Sequence, residues 1–129
     1  MSNPDTTPHR VQRRRTRGWQ MPDNTVCVDR STPFGNPFPI ARGTSSSMGQ
    51  TKDIWIVGTW EGPGLWFKDT KEEAATISVQ AFRAWINTPQ QSVLRDKART
   101  ALRGKHLACW CQLDHPCHAD VWLEIVNGE

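Results

Sequence analysis

The chain has no tyrosine, no run of apolar residues near the roughly 18 that a bilayer-crossing helix needs, and no apolar segment at its start of the kind that directs secretion. The last two absences predict a cytoplasmic protein with no membrane partner. In a reducing compartment the four cysteines stay thiols, so a clustered Cys/His set points to metal or reactive thiols before disulfides. Without tyrosine, aromatic packing falls on seven tryptophans and four phenylalanines. Several tryptophans have core-like spacing, with stacking on bases as the alternative role.

Other signatures are missing too. There is no Walker-type glycine loop, no Ser-His-Asp pattern, no nucleotide fingerprint of regularly placed glycines and no internal repeat. Nor is there a large excess of either charge, since the net charge is +3. The positive residues are uneven, however, with Arg10, Arg13, Arg14, Arg15 and Arg17 close together. That cluster predicts a flexible basic arm over residues 1–18, either solvated or in contact with nucleic-acid phosphates. A length of 129 residues suits one domain, expected over 19–129.

The β-branched content of residues 25–29 predicts a first strand, in which Cys27 is a small buried side chain. Residues 30–39 contain three prolines and must be loop, ordered because Phe34 and Phe38 have to tuck inward. Residues 41–52, rich in Ser, Thr and Gly, predict a mobile excursion. Residues 53–60 and 65–68 read as a hairpin, with Gly62 and Gly64 easing its turn. Thr70 and Glu73 form a capping box that opens a helix with Ala74, Ile77, Ala81 and Trp85, flanked by Val79, Phe82 and Ile86, on one apolar face. The helix ends at Asn87-Thr-Pro89. A second helix over 90–102 closes at Gly104, a last strand covers 105–110, and a last helix covers 119–126. The expected class is α/β: a small single-domain sheet with its first and last strands adjacent and parallel, a hairpin insertion and about three helices.

Residues 107–126 hold three of the four cysteines and two of the four histidines. One reading is a metal site, zinc above all, with Cys109, Cys111, Cys117 and His118 as ligands and His115 as a substitute for His118. Its weakness is that Cys117 and His118 are neighbours, and adjacent side chains are expected to diverge. The other reading is thiol chemistry. Cys117 at a helix start gains from unpaired amides and the macrodipole, so its pKa is expected to fall. Cys117 or Cys109 would then be the nucleophile and His118 the base. A second constellation, Arg30, Ser31, Gly35 and Asn36, offers a guanidinium, a hydroxyl and an amide beside a glycine, which suits an anion. If first and last strands are neighbours, both loops leave one carboxyl edge, where open α/β sheets bind ligands.

Arg13-Arg-Arg-Thr-Arg-Gly-Trp-Gln-Met-Pro22, Val26-Cys-Val-Asp-Arg-Ser31 leading to Gly35-Asn-Pro-Phe38, and Gly104-Lys-His-Leu-Ala-Cys-Trp-Cys111 with Pro116-Cys-His-Ala-Asp120 occur here in that order. The chain thereby resembles, over about residues 10–128, the domain of unknown function family numbered 4326. That family's members occur in bacteria and bacteriophages. The resemblance implies a single domain in a bacterial or phage-infected cell and gives weight to these blocks, without implying a reaction. A looser similarity of the strand-Cys-loop-Cys-His-helix element to domain of unknown function family 488 implies a site at a helix start. The resulting expectation is a cleft between the Gly35-Asn36 loop and the Cys117-His118 helix start. It binds a phosphate-bearing ligand, nucleotide or nucleic acid, with thiol catalysis as an added role and Arg30 as anion clamp. The alternative is a non-enzymatic nucleic-acid-binding module with a structural Cys/His zinc site.

Overall fold

Residue Leu107 and its neighbours Ala108 and Cys109 are essentially inaccessible to solvent, and the rest of the architecture is arranged to cover them. They belong to a strand, β6 (His106–Cys109), flanked on both sides in a computed structural model that describes residues 7–111 and 113–128. On one side lies β1 (Arg10–Gln12) and on the other β2 (Thr25–Cys27), both parallel to β6. Val26 pairs with Leu107 and Val11 with Ala108. A central parallel strand is buried on both faces and so must be apolar without alternation, as β6 is over Leu107–Cys109.

A second, antiparallel sheet contains β3 (Ile40–Ser47), β4 (Gln50–Gly58) and β5 (Leu65–Lys68) in that order. Three helices follow the expected plan: α1 (Lys71–Ile86), α2 (Ser92–Leu102), entered through a 3-10 turn at Pro89–Gln91, and α3 (His118–Asn127). The capping box forms. The Thr70 hydroxyl oxygen accepts from the Glu73 amide at 3.1 Å and donates to the Glu73 carboxylate at 3.1 Å. Helix α1 lies against β4, β5 and α3, burying Ala74, Ser78, Phe82 and Ile86, one residue per turn. Phe82 meets Trp122 of α3 edge-on at 5.4 Å between ring centres, which joins the two helices through the core.

The α/β class and the adjacent, parallel first and last expected strands are as read from the sequence, but the strands form two small sheets. Two segments differ from expectation. Residues 41–52, expected as an excursion, form most of β3 and the start of β4, turning through Met48 and Gly49 at φ +53° and +79°. Two positive φ values in a two-residue turn match the twist of antiparallel strands. In the N-terminal arm, residues 1–6 lie outside the described residues, while Arg10–Gln12 is strand β1 rather than flexible chain. Arg10 anchors that strand: its guanidinium is mostly buried, bonds Asp120 of α3 at 3.1 Å and donates to the Leu113 carbonyl at 2.5 Å.

Candidate functional site

Because β2 and β6 run parallel, the segments that follow them leave the same sheet edge. The Asp29–Phe38 loop and the loop reaching Cys117 face each other, and α1 closes the third side. Between them is a cavity of about 510 Å³ whose walls include Arg13, Arg30, Ser31, Asn36, Ser78, Trp110 and His118 as well as Cys109, Cys111 and Cys117. Ligand pockets commonly occupy about 300–1,000 Å³.

The first wall is built around Asp29. Its carboxylate accepts from the Ser31 amide at 3.0 Å, from the Ser31 hydroxyl and from the Arg13 guanidinium, while its carbonyl accepts from Thr32. Burial pushes the Asp29 carboxyl up, but the Ser31 and Arg13 hydrogen bonds outweigh it and hold the group below the usual carboxylate range. The chain then folds back on itself at Gly35, where a Cβ would stand 2.7 Å from the Arg30 Cα. Gly35 therefore serves the loop's shape from behind the wall. Asn36 donates to the Ser78 hydroxyl at 2.9 Å, and that hydroxyl donates to the Phe38 carbonyl at 2.7 Å. Ser78 is thus the buried polar residue that ties the loop to α1, and Phe34 and Phe38 tuck inward as expected.

The second wall carries sulfur. The Sγ atoms of Cys109, Cys111 and Cys117 all lie within 4.8 Å of one another, with Cys109 and Cys117 3.0 Å apart. Cys109 ends β6, and Cys111 lies two residues on, where an extended chain returns to the same face. Cys117 is the N-cap of α3 in extended conformation and His118 is the first helical residue. At that change of backbone conformation the neighbouring side chains converge, and the Cys117 sulfur is 3.6 Å from His118 Nδ1. His118 nonetheless stays outside the mutually close group of three sulfurs. Three thiols this close can hold a metal ion.

A family model described as Domain of unknown function (DUF4326) matches residues 11–128. The chain belongs to the DUF4326 family. No curated protein and no solved structure matches it. In this DUF4326 chain the two sequence blocks singled out above lie within the matched span and form the facing walls of one cavity.

The thiols do not behave as a helix-start argument predicts. Hydrogen bonds from the Cys109 thiol and then the Cys117 thiol hold Cys111 well below the ordinary thiol range, and the same sharing pushes Cys109 up. Cys117 is pushed up as well, by Cys109, Cys111 and burial. Thiols this close share their hydrogen bonds, so ionising one disfavours ionising the others. Burial lowers the pKa of His118 and favours its neutral form. Its Nε2 lies 2.6 Å from the Val28 carbonyl, which can only accept, so Nε2 carries the hydrogen and Nδ1 presents a lone pair toward Cys117.

Of the residues expected to bind a ligand, Arg30, Ser31 and Asn36 line the cavity. Ser31 and Asn36 spend polar groups on Asp29 and Ser78, leaving Arg30, which is exposed, as the cation of that loop. His115 lies by Asp114, 3.9 Å away, and Cys27 is half-buried and not one of the three clustered thiols. Arg13 was not expected at the site. It lines the cavity, and its Nε is buried with no hydrogen-bond partner. Its guanidinium also lies 4.5 Å from the centre of the Trp110 ring, and that of Arg15 lies 4.7 Å from it.

Proposed function

We propose that this protein binds a phosphate-bearing ligand, a nucleotide or a segment of nucleic acid, in the cavity between the Asp29–Phe38 loop and the start of α3, beside a zinc ion held by Cys109, Cys111 and Cys117. The observation that carries this reading is a single cavity lined both by Arg13 and Arg30 and by three mutually close sulfurs. Phe38 and Trp110 provide aromatic wall for a base.

Zinc fits the donor set. With Zn–S near 2.3 Å, tetrahedral ligands stand about 3.8 Å apart, inside the spread of these sulfurs. A reducing cytoplasm keeps the thiols available to it. The test is metal content of the purified protein, followed by calorimetric titration with ADP and with a short single-stranded oligonucleotide. One zinc per chain is expected, and Arg30→Ala should weaken binding by about tenfold, or 1.4 kcal/mol. Binding unchanged by Arg30→Ala and by added salt would overturn the phosphate reading.

A second reading, thiol catalysis, has its own support: Cys111 is the partly exposed thiol of the three on the cavity wall, and hydrogen bonds from Cys109 and Cys117 push its pKa down. It moves the nucleophile from Cys117 or Cys109 to Cys111. Metal-free protein whose Cys111 alkylates fast at neutral pH would favour it over the zinc reading.

A further inference from the structure

We infer that a metal held by Cys109, Cys111 and Cys117 keeps its fourth coordination position open to the cavity, where a neutral donor completes it: water, or the ring nitrogen of a heteroaromatic ligand. The inference rests on the metal reading above and specifies what that metal does. A tetrahedral ion with four protein ligands ties a structure together, whereas one with three protein ligands presents its remaining position to whatever occupies the pocket.

Geometry separates the two cases. Among the described residues, no fourth His, Cys, Asp or Glu atom joins the mutually close group of three sulfurs. His118 comes nearest to doing so, since its Nδ1 approaches Cys117, yet it does not belong to that group. Its ring is held from other directions. Nε2 bonds the Val28 carbonyl at 2.6 Å, and the ring meets Phe82 at an interplanar angle of 80° with centres 5.3 Å apart. Those two contacts fix the ring with Nδ1 3.6 Å from Cys117 and outside the group of three sulfurs. Asp29 is committed to Ser31 and Arg13. All three cysteines line the cavity, so the side of the ion not covered by sulfur faces the space a ligand would fill.

Charge decides which donor suits that position. Three thiolates around a divalent ion leave a net charge of −1, which disfavours a further anion and favours a neutral atom. A phosphate is drawn instead to Arg30 on the Asp29–Phe38 loop. The site therefore selects a ligand with two ends, a nitrogen heterocycle toward the metal and an anionic group toward Arg30. This is the outline of a nucleotide. His118 lies beside Cys117 with Nε2 bonded to the Val28 carbonyl, so its Nδ1 lone pair can accept a hydrogen bond from a bound water.

Cobalt(II) substitution of the full chain tests this, because sulfur-to-cobalt charge-transfer bands count the thiolates and ligand-field bands report the fourth ligand. One cobalt per chain with three-thiolate intensity is expected. Imidazole should then shift the ligand-field bands saturably while inorganic phosphate alone leaves them in place. His118→Ala should retain the metal with less than about tenfold loss of affinity (1.4 kcal/mol) and still respond to imidazole. Wild-type bands indifferent to imidazole, joined to a large loss of cobalt in His118→Ala, would show His118 as the fourth ligand and overturn the open site. The wild-type titration stands if that variant misfolds, with His118→Gln as a second check. A shift produced by phosphate would overturn the neutral-donor assignment. Failure to bind cobalt at all would instead overturn the metal reading on which the inference rests.

Discussion

The two sheets are made of the same kind of strand and do opposite jobs. In the parallel sheet each strand is three or four residues long, the central one is buried, and its neighbours come from distant parts of the chain. In the antiparallel sheet β3 and β4 are eight and nine residues long, joined directly, and exposed over much of their outer half. Length therefore does not track importance. The short strands aim two loops at one edge and set the cavity's geometry, whereas the long hairpin adds Phe38, Pro39 and Ile40 at its base to one wall and extends into solvent. A strand can be brief if its partners on both sides fix it, and a hairpin can be long because each pair supports the next.

Substitutions can break that contrast. Leu107→Ala, at the centre of the parallel sheet, should lower unfolding free energy by about 2–5 kcal/mol in a urea titration. A loss below 1 kcal/mol would mean that β6 is not the organising strand. Asp29→Ala removes the acceptor for Ser31 and Arg13 and should cost about 1–3 kcal/mol, with weaker cavity binding as a second readout. Lowering the pH should act in the same direction. The folded Asp29 has the lower pKa, so its contribution is fully present above the ordinary carboxyl value of 3.8 and lost as pH falls through the folded value. Acid titration of stability in wild type and Asp29→Asn should therefore converge at low pH. On the hairpin the expected changes are small. Met48→Asn should stabilise by a few tenths to about 1 kcal/mol, because Met48 is fully exposed at φ +53° and asparagine tolerates that region better. Arg42→Ala, which removes an exposed ion pair with Asp53, should change stability by less than about 1 kcal/mol. If either hairpin change exceeded the Leu107 effect, the division of labour between the sheets would be reversed.

Much of this arrangement was legible in the residues, and the reasons differ by element. Helix α1 announced itself because Thr70 and Glu73 act locally and its apolar face repeats each turn. The cleft followed from one topological inference, that strands around Cys27 and Cys109 are parallel neighbours. Strand β1 was not readable, because three residues, Arg10–Gln12, are too few to show a period. Strand β3 hid for another reason: Ser45, Ser46 and Ser47 belong to a two-faced, solvent-facing stretch, where burial imposes no alternation. Within the site, the two sulfurs beside Cys117 push its pKa up, against the lowering expected of a helix start, and their closeness was not readable from spacing. Arg13 was visible only as one arginine among five. Its place opposite Asp29 depends on β1, and so it was missed with β1.

The pairing of β1 and β2 with β6 also orders events in time. His9 contacts His106 across 97 positions of sequence, so the strands bracketing β6 emerge from the ribosome long before the strand that joins them. Local pieces such as the β3–β4 hairpin and α1 can form early, but the parallel sheet must wait for nearly the whole chain, and contacts of such sequence separation slow folding. Cys109, Cys111 and Cys117 arrive with that last segment. Bringing the three thiols together therefore depends on the same long-range pairing that builds the parallel sheet.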